Sequence, residues 1–392
     1  MAEKRNYGID LLRVFSMIMI ACHHILYHGG ILENAIPFLG TYQAAWLLDI
    51  VVCCAVNIYG MISGYVGYGR KHRIARFLEL YLQVIFYTVL TTVFFCFYRP
   101  ELIDGDVIWG TFFPFAYRVY WYYSAYFCLC FVMPYLDKLI TILDRKETER
   151  LLTALFFTMS LLPTVFNKDF VFTDKGYTFL WLAVLYLAGA YIQKHSIGSR
   201  EKRYHFLLGF LLCILFVWFV KMGSEQISYM ISHEYRESTR LNQYVSPFII
   251  LCAVLLVLFF KEFQLSEKSE KIVAFFSATS FDVYLFHDSP LIRTAFIVGA
   301  FTNLLFMNPV IMILSVIGLA LVIWFAGSVL GRARILIFRI LRVGKLCGWI
   351  EAQLRKIGIS SKLVGKCFAW TITDCSIKTG WTSCLFYNAS LV

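Results

Sequence analysis

Residues 8–30 read GIDLLRVFSMIMIACHHILYHGG. The run is apolar and about as long as a bilayer is thick, since a spanning helix needs roughly 20 residues. Yet it holds Asp10, Arg13, His23, His24 and His28. Each such group is costly in hydrocarbon, by a few kcal/mol, so ionisable residues here are functional candidates by default. At about 100° per residue, Arg13 and His24 differ by roughly 20° and lie about 16 Å apart along the axis. Asp10 and His28 each fall about 60° from Arg13, and His23 about 80° away on the other side. One stripe therefore carries Asp10, Arg13, His24 and His28. The competing reading is a polar patch that pairs with other helices for packing alone.

The rest of the chain has the same character. Of 392 residues 59% are hydrophobic and 16% charged, where a soluble domain carries about 25% charged residues. A soluble core of this size cannot hide so much apolar surface, so the bilayer is the solvent. Ten apolar spans follow, at approximately 8–28, 43–66, 77–98, 119–137, 150–166, 177–193, 204–221, 245–260, 273–293 and 309–331. The stretch 294–308 is apolar but short, and reads as re-entrant or as an outer loop. The longest outward polar segment is 222–244. The first run is not read as a cleavable signal peptide, because it holds Asp10 and Arg13.

The net charge is +11. The charges cluster between spans, which points to cytoplasmic loops rather than to nucleic acid. Alternate connections, including Arg70, Lys71, Arg73 and Arg76, hold 17 Lys and Arg; the intervening ones hold 7, or 8 with Arg293. This alternation predicts both termini inside and an even number of helices. The 12 cysteines show neither zinc spacing nor a secreted disulfide framework; they read as small apolar residues, and no metal is expected. Beyond residue 342 the sequence is basic and weakly patterned, giving a membrane domain at 1–342 and a cytoplasmic tail at 343–392. Asn388-Ala389-Ser390 fits the glycosylation pattern, but a cytoplasmic end cannot be used that way.

The segment IDLLR, then ten residues, then His, resembles the opening helix of the membrane acyltransferase-3 family, integral membrane O-acyltransferases that acylate bacterial surface glycans. Its Arg-X10-His motif falls on Arg13 and His24; the adjacent His23 departs from the commonest form. MISGYVGYGRKHRIARFLELY (61–81) resembles the family's cytoplasmic Arg-X-X-Arg segment, placing Arg73 and Arg76. WYYSAYFCLCFVMPYLDKL (121–139) resembles its Trp-Tyr-rich fourth helix, and SATSFDVYLFHDSPLI (277–292) its late SFxxYLxH motif, with Ser280, Tyr284 and His287. The resemblance covers about residues 6–335.

It implies an O-acyltransferase using acyl-CoA. Such transfer needs a base or a nucleophile, a grip on the CoA phosphates, and stabilisation of an oxyanion. His24 is the candidate base, or becomes acylated itself. Arg13, with its fork of donors, suits a phosphate or the thioester end of the cofactor, and Asp10 orients it. Arg73 and Arg76 suit the CoA phosphates, or serve only as positive-inside charge. His287, Ser280 and Tyr284 support the site or line the acceptor path. Trp121 and Tyr122 form an aromatic belt or a face that stacks on a sugar.

The sequence thus predicts an all-α, ten-helix membrane protein with N-in/C-in topology in the plasma or inner membrane. Its expected donor is acetyl-CoA, its acceptor a polysaccharide of the cell envelope or a lipid-linked glycan, and its solvent the lipid bilayer. The rival is a secondary transporter with an Asp/Arg/His relay; no paired inverted halves support it.

Overall fold

A computed structural model describes residues 5–199 and 201–356, and they are helical with no strand among them. In chain order the main helices are α1 (Tyr7–Tyr27), α2 (Gly40–Cys53), α3 (Ala55–Gly67), α4 (Ile74–Tyr98), α5 (Trp121–Ile142) and α6 (Arg145–Phe156). After them come α7 (Phe179–Lys194), α8 (Arg203–Ser232), α9 (Pro247–Lys261), α10 (Glu267–Ser277), α11 (Ser280–His287), α12 (Pro309–Ile340) and α13 (Val343–Lys356). Among the described residues seven helical stretches are long and apolar enough to cross a membrane: α1, α2 with α3, α4, α5, Arg145–Phe166, α8 and α12. All ten predicted spans fall on helices. Three of them fall short of those seven: α7 and α9 have 16 and 15 residues, and the ninth is broken between α10 and α11.

The helices are not equivalent. In the apolar stretch of α1, 67% of residues are buried by protein, and in α2–α3 83%, against 22 to 28% in the other five. The first two stretches are therefore the centre of the bundle, and the others face outward with their Leu, Phe and Val side chains. α1 touches α2, α3, α9, α10, α11 and α12. It starts at Asn6, whose side chain accepts from the Ile9 amide at 3.0 Å and so satisfies one orphan donor of the first turn.

The most extensive helix contact joins α3 to α7. Its basis is the small-residue spacing Gly60–Gly64 on α3 opposite Gly189 on α7. A Cβ at Gly64 would fall on the Tyr186 carbonyl, and one at Gly189 on the Met61 carbonyl. Lipid gives no hydrophobic drive between helices, so backbone approach through small residues supplies the packing.

One departure from the sequence reading and one segment it left open have local causes. The segment 222–244 is not polar loop throughout, because α8 continues to Ser232. Lys221 and Glu225 pair within it at 2.6 Å, both buried, and Tyr42 donates to Glu225 at 2.6 Å. Residues 294–308 form single turns that fold back on the end of α1, with amide–carbonyl bonds from Gly299 to His28 and from Phe301 to Gly29.

The tail begins with a helix. Arg342, at φ 53°, ends α12, and α13 buries Val343, Cys347 and Glu351 at i, i+4 and i+8 against Ala75, Leu78, Leu82 and Phe338. Glu351 thereby reaches the start of α4, where it accepts from the Ala75 amide at 3.4 Å. The other tail cysteines, Cys367, Cys375 and Cys384, and the Asn388-Ala389-Ser390 triplet lie outside the described residues.

The α3–α7 contact gives a direct test. Gly64→Val should lower stability by about 1–3 kcal/mol or more, the scale of overpacking, and show as a lower melting temperature in detergent. Gly223→Ala, where a Cβ meets nothing within 4 Å, should leave it unchanged. Equal melting temperatures for both variants would contradict the close α3–α7 approach.

Candidate active site

The N-terminal end of α1 carries the first cluster. Asp10 is buried, and three groups meet its carboxylate: Arg5 Nε at 2.5 Å, Arg13 Nη1 at 2.9 Å and Ser277 Oγ, from the end of α10, at 3.0 Å. Two guanidinium contacts and a hydroxyl satisfy a charge that would otherwise be prohibitive at this position. Arg13 is one-quarter exposed, and its backbone carbonyl accepts from Tyr59 Oη at 2.9 Å. The Asp10–Arg13 pairing expected from the sequence is therefore present, with Arg5 and Ser277 added to it.

The second cluster lies about three turns beyond Arg13 along α1. His24 Nδ1 is 3.0 Å from His287 Nε2, across 263 residues of sequence. His287 Nδ1 is in turn 2.6 Å from the Val283 carbonyl. A carbonyl only accepts, so His287 Nδ1 carries the proton and, in the neutral ring, Nε2 is the acceptor. His24 must then donate from Nδ1, which leaves Nε2 of His24 with the free lone pair. Asp288 Oδ1 stands 3.6 Å from His24 Nδ1 and 2.9 Å from Arg293 Nη1.

His24 lines a cavity with Trp121, Tyr122, Tyr284, Tyr59 and Tyr244. The structure thus brings His24, Trp121, Tyr122 and Tyr284 onto one space, with His287 directly behind His24. Ser280 is buried at the start of α11, where its hydroxyl donates to the Phe276 carbonyl at 3.4 Å. Arg13 is not among the cavity's lining residues.

Arg73 and Arg76 stand apart from the cavity, at the start of α4. Arg73 Nε is 3.4 Å from Glu351 Oε2, and the same carboxylate is held by Arg355 at 2.5 Å. Arg76 is exposed. Among the described residues three side chains could gather round a metal ion, His24, His28 and Asp288, whose ligand atoms lie within 4.8 Å of one another. Arg293, in contact with Asp288, opposes a cation at that point.

One residue set aside by the sequence reading belongs here. His23, expected to point off the stripe, lines the same cavity, with Nδ1 2.7 Å from Asp49 of α2. An offset of about 80° points away from the site only on a helix with one inward face; α1 is enclosed on most sides, so a residue that far off the stripe is still inside. The signal was available in Asp49 itself, an aspartate in the middle of an apolar span. Asp288 and Arg293 carried the same signal in the ninth span.

A family model described as an acyltransferase domain matches residues 6–329. No match was found among curated proteins or among solved structures.

Proposed function

Because the chain belongs to the acyltransferase-3 family, and is a multi-pass membrane acyltransferase on that ground, we propose that it moves an acetyl group from cytoplasmic acetyl-CoA to a hydroxyl of a cell-surface polysaccharide or lipid-linked glycan. The observation that carries this reading is the His24–His287–Val283 chain. It fixes the tautomer that leaves His24 Nε2 able to take a proton or an acyl group, at the wall of a cavity with aromatic faces for a sugar ring. An orienting partner behind a base is the common logic of nucleophilic and general-base sites.

The charge alternation supports ten helices with both termini inside, which puts Arg73, Arg76 and α13 on the donor side. Arg73 and Arg76 hold the CoA phosphates, since guanidinium forks suit phosphate oxygens. Arg13, steadied by Asp10, meets a phosphate of the donor, since about 16 Å of α1 separates it from His24. The acyl carbon then reaches His24 from the inner side, and the acceptor hydroxyl comes from the outer side past Trp121 and Tyr122. The plasma or inner membrane is the site of action.

His24→Ala should lower transfer by about 10²–10⁴-fold, the range of a general base. The readout is CoA release in vitro and the acetyl content of surface glycans by mass spectrometry. Folded His24→Ala protein that acetylates at the wild-type rate would remove His24 from the chemistry.

Glu351 competes with the donor phosphates for Arg73 in this reading. The pair is half exposed on the Arg73 side, so its worth is at the surface scale of about 0–1 kcal/mol. Glu351→Gln should lower the KM for acetyl-CoA by up to roughly fivefold, the equivalent of that energy, whereas Arg73→Ala with Arg76→Ala should raise it. A KM that rises in Glu351→Gln would show that the carboxylate only orients Arg73.

A further inference from the structure

His23 is a polar side chain on the cavity that takes no part in the transfer step assigned to His24. Its Nδ1 lies 2.7 Å from Asp49 Oδ1, and Asn242 Nδ2 donates to the other Asp49 oxygen at 2.6 Å. The Asp49 side chain is 3% exposed. A carboxylate so placed is retained only where its oxygens are bonded, and here both are. It accepts from His23 Nδ1–H, which leaves His23 Nε2 with the lone pair. That is the geometry of a base with its orienting carboxylate.

His23 and His24 are adjacent, with ring centroids 6.1 Å apart, and line the same cavity, but different elements brace them. His24 is held by His287 of α11. His23 is held by Asp49 of α2 and through it by Asn242, in the connection before α9. On that side an aromatic surface opens outward. The His23 ring stacks on Tyr27, which is 62% exposed, and lies 6.4 Å from Tyr244, which stacks on Trp121. Aromatic faces of this kind suit a sugar ring, and the exposed one among them, Tyr27, lies against the His23 ring.

A one-step transfer needs one base. Two oriented imidazoles on one cavity, one beside an open aromatic surface, serve two half-reactions. Resting on the acyltransferase reading above, we propose that His24 takes the acyl group and that His23, held by Asp49, is the base for the acceptor hydroxyl. In the first half-reaction His24 Nε2 attacks the thioester carbonyl and the C–S bond breaks. Sulfur leaves with its electron pair as the CoA thiolate, and the Nδ1 proton of His24 passes to His287 Nε2, leaving a neutral acyl-imidazole. In the second, the acceptor hydroxyl gives its proton to His23 Nε2 as its oxygen attacks the acyl carbon. The C–N bond breaks, its electron pair returns to His24, and Nδ1 recovers its proton from His287. His23 releases the hydroxyl proton to water.

The test uses the full-length protein in vesicles and measures two rates: transfer to the acceptor, and exchange of labelled CoA into acetyl-CoA with no acceptor present. Wild type should do both. His23→Gln should lose transfer by about 10²–10⁴-fold and keep exchange close to wild type, which also reports that it is folded. Asp49→Asn, which keeps the shape and reverses the tautomer preference, should show the same selective loss. His24→Gln should lose both. Wild-type transfer without exchange would overturn the two-step scheme while leaving the acyltransferase reading standing. Transfer at the wild-type rate in both His23→Gln and Asp49→Asn, or loss of exchange together with transfer in both, would overturn the role of His23. No transfer from acetyl-CoA in wild type would instead count against the underlying reading.

Discussion

Inside a bilayer a charged side chain has no water to turn to, and α1 with its C-cap carries five Asp, Arg and His residues from Asp10 to His28. Each must find its partner within the protein, and the arrangement of the bundle follows from that demand. Asp10 draws Arg5, Arg13 and Ser277 around the N-terminal end of the helix. His24 draws α11 through His287, and His23 draws α2 through Asp49. The helix is therefore surrounded, while α4, α5, α8 and α12 leave most of their surface to lipid. The break between α10 and α11 belongs to the same logic, since it sets Ser277 at Asp10 and, ten residues on, His287 at His24.

Enclosure of this kind also gives the chemistry its precision. A backbone carbonyl, that of Val283, fixes the tautomer of His287, and His287 fixes that of His24. Asp49 does the same for His23, and Asn242 fixes Asp49. A rigid shell of this sort holds reactive nitrogens in place before substrate arrives, which is how an active site avoids the cost of ordering them during the reaction. The polar groups that α1 must satisfy for stability and those proposed to transfer the acyl group are thus the same groups.

Much of this was legible in the sequence. The run 8–30 showed both a membrane helix and its polar stripe, and the ordered resemblance from Arg13 to His287 pointed to the family that the match over 6–329 establishes. The pairing of Asp10 with Arg13 followed from helical spacing alone. The parts that were not legible depend on tertiary placement. His23 was discounted by its angle, which carries information only when a helix has one buried face. Glu351 meets the Ala75 amide across 276 residues, and nothing local to the tail announces that contact. The extension of α8 to Ser232 rests on a buried Lys221–Glu225 pair whose third partner, Tyr42, lies on another helix.

The central claim is that one membrane-embedded centre joins a donor on the side of Arg73 and the N-terminus to an acceptor on the opposite side. Sealed vesicles holding the protein in one known orientation test it most directly, with labelled acetyl-CoA supplied to a single face and the glycan acceptor to the other. The account predicts labelled ester on the acceptor only when acetyl-CoA meets the face that carries Arg73. Equal or greater labelling with acetyl-CoA confined to the opposite face would contradict it.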